Sequence, residues 1–301
     1  MARRAAELCK ADLTTKMVVE MTSLQGVMGR FYALHSGEPA EVANAILEHF
    51  LPRFSGDALP ATKPGLAVGV VDRLDTLLGL FAAGITPTGT KDPYALRRAA
   101  LGLVGNLIGW DLDFDIKAGL VTVAEQLPIP ASREKQIVCL SFIAERLRNL
   151  FLEQGYRYDV VDAVVADQGH NPAGAARAVK ALTGWVERPD WHTILPAYAR
   201  CMRITRDQLK SYPVDSKALV EPEEQDLFKA LEHVETAARQ SGSIDDFINN
   251  FLPMIPAINS FFDKVLVMTE ERQLQENRLG LLQRIASLAE GVADLSRLEG
   301  F

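Results

Sequence analysis

The chain has 301 residues, 48% of them hydrophobic and 24% charged, with a net charge of −7 from 32 basic and 39 acidic side chains. That balance excludes a disordered chain and supplies enough apolar surface for one large domain or two. No apolar run approaches the roughly 18 residues a membrane-spanning helix needs, and the opening Met1-Ala2-Arg3-Arg4 lacks the apolar core of a secretory signal. Three cysteines, Cys9, Cys139 and Cys201, stand far apart with no CxxC spacing. The pattern predicts buried free thiols in a reducing cytoplasm rather than zinc or disulfides. The acidic net charge counts against nucleic acid without excluding it, because local basic faces occur on acidic chains.

In chain order the sequence reads as helix after helix. Residues 3–20 are expected as one helix that begins with no cap before it, so the natural chain is expected to extend further upstream. Val42, Ala45, Ile46, His49 and Phe50 follow a spacing that places them on one helix face. Pro64 opens another helix with Leu74, Leu77, Leu78 and Phe81 on its apolar side, and Gly84 stops it. Residues 84–93 are rich in turn-formers; Asp92 is expected to cap a helix that starts at Pro93. In that helix Gly102, Gly105 and Gly109 predict close approach by another backbone.

Further helices are predicted at 115–127, 134–154, 158–167, 172–185 and 190–211, with Gly155 as terminator, Asn171-Pro172 as cap and start, and a kink at Pro196. Pro213 to Glu221 reads as a connector. Helices near 222–240, 244–262 and 271–298 complete the chain, with kinks at Pro253 and Pro256. Only Val265-Leu266-Val267-Met268 has strand-like character. The fold class is therefore all-α.

Three stretches resemble the β subunit of bacterial two-subunit glycyl-tRNA synthetase. They are Cys9-Lys10-Ala11-Asp12-Leu13 through Gly26 to Glu38, Asp72-Arg73-Leu74-Asp75 through Lys91-Asp92-Pro93 to Ala100, and Leu219 to Glu224 with Phe261 to Met268 and Asn277-Arg278-Leu279. The last also resembles the helical anticodon-binding domain of arginyl-tRNA synthetases. The resemblance implies an HD-like helical domain at 1–110, truncated at its N-terminus, a helical connecting region at 111–185 and an anticodon-binding helical bundle at 186–301. It implies a module that binds glycine tRNA and positions it for the α subunit, which holds the site for ATP, magnesium and glycine. No cofactor, membrane or DNA is expected for this chain.

HD phosphohydrolases bind metal through His and Asp ligands. Against that pattern Asp12, His35 and Asp72 fall at degenerate positions, and Ala11 stands where a ligating His belongs. Asp12 and Asp72 are instead expected to hydrogen-bond between helices, to Lys10 or Arg73. No metal site and no catalytic residue follow; a metal-dependent phosphohydrolase and a scaffold that does not touch RNA are the alternatives. The candidate tRNA-binding residues are Arg200, Arg203 and Lys210 on one predicted helix face, and Lys264, Arg272, Asn277 and Arg278 around the last connector. Phe261, Phe262 and Tyr212 are read as core or as stacking partners for bases. Lys91, Arg97 and Arg98 form a secondary basic cluster.

Overall fold

A computed structural model describes residues 1–54, 56–87, 92 and 94–301. Fifteen α-helices make up the described residues, which contain no strand. In order they are α1 (Ala2–Leu8), α2 (Lys16–Glu20), α3 (Val27–His35), α4 (Ala40–Glu48), α5 (Lys63–Ala82), α6 (Leu96–Gly109), α7 (Ile116–Ala124) and α8 (Arg133–Glu153). There follow α9 (Tyr158–Gln168), α10 (Pro172–Val186), α11 (Trp191–Thr205), α12 (Pro222–Thr236), α13 (Ile244–Phe251), α14 (Ile255–Lys264) and α15 (Arg272–Ser287). Val265 to Met268 is extended or bent coil, so the strand-like signal there is not realised.

The chain divides into two compact units, one of residues 1–150 with 170–173, the other of 151–169 with 174–301. In the first, α1, α4 and α5 pack together, α3 lies on α4, and α5 also meets α6 and α7. Ile46, Leu74, Leu77, Phe81, Leu103 and Leu107 fill this core at 0–2% exposure. In the second, α11 lies along α15 and α12 along α14. Tyr198 meets Phe247 and Phe251 edge-on, with centroids 6.0 and 5.9 Å apart, a favourable aromatic arrangement.

Several helix ends follow the local signals. Thr62 caps α5 by accepting from the Gly65 N–H, Gly84 adopts φ +81 just past its end, and α10 begins at Pro172. Others depart from them. The helix expected over 3–20 breaks into α1, a 3-10 turn at Ala11–Thr14, and α2. The Thr14 hydroxyl donates to Ala11 O and the Thr15 hydroxyl to Asp12 O, local bonds that compete with helix continuation. Asp12 meanwhile turns inward, its Oδ2 accepting from Gly26 N at 2.7 Å and Gly29 N at 3.0 Å at the start of α3.

α6 starts at Leu96 rather than Pro93, because Ala95 sits left-handed and the Asp92 carboxylate accepts from Leu96 N and Arg97 N. Pro93 itself lies outside the described residues. The glycines of α6 admit side chains rather than a backbone. A Cβ on Gly102 would stand 2.7 Å from Arg73 Nε and one on Gly109 would stand 2.2 Å from a Leu59 methyl, while Gly105 meets nothing. The segment 244–262 becomes two helices joined by a 3-10 turn at Leu252–Met254, since Pro253 and Pro256 lack the N–H that would continue the ladder. The last predicted helix stops at Ser287, and a short 3-10 turn at Leu295–Arg297 follows.

Candidate nucleic-acid interface

α11 carries the basic face. Arg200 is half-buried: its guanidinium lies 4.4 Å over the Phe262 ring, donates to Asn259 Oδ1 at 3.3 Å, and stands 3.8 Å from Asp263. Arg203, one turn on, is exposed, with only the Phe301 ring near it at 5.3 Å. Arg206 follows at the C-cap, 3.7 Å from Asp207. Phe261 is buried core, whereas Phe262 backs Arg200 and leaves one edge accessible.

Lys210 does not belong to this helix, which ends at Thr205 instead of running to residue 211. Residues 206–215 form turns and coil. Gln283 of α15 then captures the outgoing chain, accepting from Tyr212 N at 3.0 Å and donating to Lys210 O at 2.7 Å. A Cβ on Gly280 would stand 2.6 Å from Tyr212 O, so α15 meets this segment backbone to backbone. The Lys210 side chain is exposed. Beside it opens a cavity of about 620 Å³, lined by Tyr198, Thr205, Gln208, Tyr212 and Arg284 on one side and by Asp167, Glu290 and Asp294 on the other. Burial, with Asp294 and Glu290 close by, pushes the Asp167 carboxyl above its usual range.

The remaining candidates separate. Lys264 pairs with Glu223 at 2.7 Å and Arg272 with Glu276 at 2.9 Å, both at the surface. Asn277 and Arg278 are internal, each 5% exposed. Asn277 grips the Asp215 backbone from both sides, accepting from its N–H at 2.7 Å and donating to its carbonyl at 3.1 Å. Arg278 donates to the buried Glu224 carboxylate and to Leu266 O. Both side chains therefore fix the connectors around α15 and present no edge to a ligand. Of the secondary cluster, Lys91 lies outside the described residues, Arg97 is half-buried and Arg98 is exposed.

In the first unit, Asp72 and Asp12 serve different partners. Lys10 Nζ stands 2.8 Å from Asp72 Oδ1 and 3.1 Å from His49 Nε2, with the Phe50 ring centroid at 4.7 Å. The ammonium thus occupies the point on which the imidazole nitrogen and the carboxylate converge. Among the described residues no group of three or more His, Cys, Asp or Glu could hold a metal ion. His35 is exposed at the end of α3.

His49 is fully buried, and its Nδ1–H donates to Ile46 O at 2.6 Å. Burial and the neighbouring Lys10 charge, with a smaller push from Arg73, bring it down to about 4, against the raising influence of Asp72 and of the bond to Ile46 O. A group that loses its proton on folding contributes stability that is complete above its unfolded value near 6.5 and is lost as pH falls toward 4. The expected contribution is about 3 kcal/mol by the linkage relation. Urea unfolding at pH 7 and pH 4.5 should show a drop in stability that His49→Gln reduces; equal drops in both proteins would contradict this assignment.

Sequence reading missed Glu48, whose carboxylate accepts from both the Thr62 N–H and its hydroxyl, and it offered Arg73 to Asp12 or Asp72, whereas Arg73 binds a run of carbonyls between α4 and α5. It also missed Arg53, Phe54 and Tyr94, for which an Arg-Phe pair after Pro52 was the one available signal.

The pattern of the family described as "Glycyl-tRNA synthetase beta subunit" matches residues 1–166, more than half of the chain. That described as "DALR anticodon binding domain" matches residues 194–295, which span α12 to α15 and most of α11. The glycine–tRNA ligase beta subunit of Moorella thermoacetica is 39% identical over 307 residues, covering 99% of this chain and 44% of the relative. That of Aromatoleum aromaticum is 41% identical over 305 residues, with 99% and 44% covered. The chloroplastic/mitochondrial glycine–tRNA ligase 2 of Arabidopsis thaliana is 38% identical over 299 residues, with 99% and 28% covered. The chain thus spans less than half the length of these relatives. An all-helical chain with an anticodon-binding module defines the class, a component of aminoacyl-tRNA synthetases. The chain belongs to the glycyl-tRNA synthetase beta subunit family.

Proposed function

We propose that this chain is the tRNA-gripping part of a glycine–tRNA ligase β subunit. It binds glycine tRNA through the second unit and positions it for aminoacylation by the α subunit, contributing binding and orientation rather than reacting groups. The observation that carries this reading is the coincidence of the anticodon-binding match at 194–295 with the outward-facing cations Arg203, Arg206 and Lys210. Arg200, held against Phe262, offers a guanidinium already oriented by its neighbours. Such side chains suit phosphates, which position an RNA, while the adjoining cavity, with Gln208 and Tyr212, suits an unpaired base. ATP and magnesium are assigned to the α subunit, with no cofactor, membrane or DNA for this chain, and the cytoplasm as its setting. No helix among the described residues is long and apolar enough to cross a membrane.

The test is a titration of labelled glycine tRNA at low and moderate salt, beside the same tRNA with a changed anticodon. Arg203→Glu and Lys210→Glu should each weaken binding by about tenfold and lower the salt slope by about 1. Preference for the correct anticodon supports a reader. Binding untouched by both reversals would remove this face from the interface, and no binding at all would leave an assembly role with the α subunit.

A further inference from the structure

The geometry points to a second ligand site, in the first unit: a groove between residues 50–54 and the start of α6 that takes an unpaired stretch of an RNA strand. It is independent of the α11 face. Two cavities, of about 530 and 750 Å³, share Arg53, Phe54, Ala95 and Arg98 and so form one continuous groove. Each is the size of a small-ligand pocket, and together they exceed what one nucleotide fills.

Three features fix the chemistry. First, Arg53 lines both cavities, and its Nε is buried with no hydrogen-bond partner among the described residues. Second, Arg98 is exposed on the first turn of α6 and lines both cavities, whereas Arg73 lies beneath with its donors taken by backbone carbonyls. Of the nearby acids, Asp72 is paired with Lys10, the oxygens of Asp92 accept from α6 N–H groups, and those of Asp57 accept from Arg53 N and Ala58 N. Third, two aromatic rings stand at the mouth, Phe54 at 65% and Tyr94 at 54% exposure. The turn that carries Arg53 and Phe54 is held from beneath, since Arg73 and Asn106 both donate to Leu51 O.

Phosphodiester oxygens supply acceptors for Arg53 and Arg98, and exposed base faces match the free rings. A duplex would bring phosphates but keep its bases stacked on each other. An acidic peptide would satisfy the arginines and leave the rings unused. A free nucleotide shares the chemistry but fills only part of the groove.

The test uses the full chain and a fluorescein-labelled oligouridylate of about eight nucleotides at low salt, with AMP as the free-nucleotide probe. Arg98→Glu and Tyr94→Ala, both at the surface, should each weaken oligonucleotide binding by about tenfold, while Lys117→Glu, an exposed cation on α7, leaves it unchanged. Circular dichroism of each variant verifies the fold. In a Tyr94→Trp chain the oligonucleotide should quench the added fluorescence. Unchanged affinity in both groove variants overturns the site. Equal weakening by Lys117→Glu reduces it to diffuse charge and overturns it too. AMP binding as tight as the oligonucleotide overturns the strand as the source and leaves a free nucleotide in its place.

Discussion

Replacing Arg278 by methionine is expected to lower the stability of the second unit by about 3–5 kcal/mol. Glu224 is 0% exposed, and Arg278 is the cation that faces its Oε1. Its Oε2 accepts from Val220 N and Glu221 N, holding the turn into α12. Without the guanidinium the carboxylate would remain buried with a full charge and two backbone donors, too few to replace water. The Leu266 carbonyl would lose its donor as well. The melting temperature should fall by roughly 6–12 °C or more. The partner test is a double-mutant cycle: in a Glu224→Gln background the same Arg278→Met change should cost far less. Additive losses in that cycle would show that the two residues act separately.

Arg73→Met is expected to cost the first unit a similar amount, about 3–5 kcal/mol, by a different route. The buried Arg73 donates to His49 O and Gly69 O at 2.9 Å each and to Leu51 O at 2.7 Å, with a weaker contact to Phe50 O at 3.2 Å. Burial pulls its own pKa below the ordinary value, with Asp72 opposing that shift. Methionine fills similar space and takes a donor from each of those carbonyls, leaving Leu51 O with Asn106 Nδ2 alone, which is the costly half of a broken hydrogen bond. Hydrogen exchange should show faster opening of residues 49–54 while the second unit is unaffected. Protection unchanged over 49–54 would mean that the turn is held by Asn106 and packing alone. Gly102→Ala should act in the same direction, since its new Cβ would press on Arg73 Nε at 2.7 Å.

These two arginines also show where sequence reasoning ends. Helix boundaries set by local chemistry were legible: Pro64 after the Thr62 cap, Gly84 with its positive φ, Gly155 and Asn171-Pro172 all act within a turn of their own position. The apolar spacing of Val42, Ala45 and Ile46 likewise places them in the core. Three kinds of feature were not legible. Asp12 lies in a helical pattern, yet its carboxylate is claimed by N–H groups 14 and 17 residues away. The path of residues 210–212 beyond α11 is held by Gln283, more than seventy residues downstream. Arg278 reads as an RNA-facing cation by composition, but its partner Glu224 sits 54 residues earlier. Pairings at that range leave no periodic trace, so an arginine that neutralises phosphate and one that neutralises a buried carboxylate look alike. The basic face of α11 was readable because Arg200 and Arg203 sit one turn apart on a regular helix, whereas the Arg53–Phe54 groove depends on a turn that only the fold brings to α6.

The stitching of residues 210–215 to α15 has a kinetic side. Gln283 binds the chain at Lys210 and Tyr212, Gly280 lets Tyr212 O approach, and Asn277 clasps Asp215, three ties from three successive turns of one helix face. Lys210 therefore rides on a backbone that is ordered before any ligand arrives. A phosphate meeting it has only a flexible side chain to immobilise, at about 0.5–1.5 kcal/mol, and no segment to fold. Association at this end of the chain is then set by diffusion and charge rather than by waiting for a loop to find its shape.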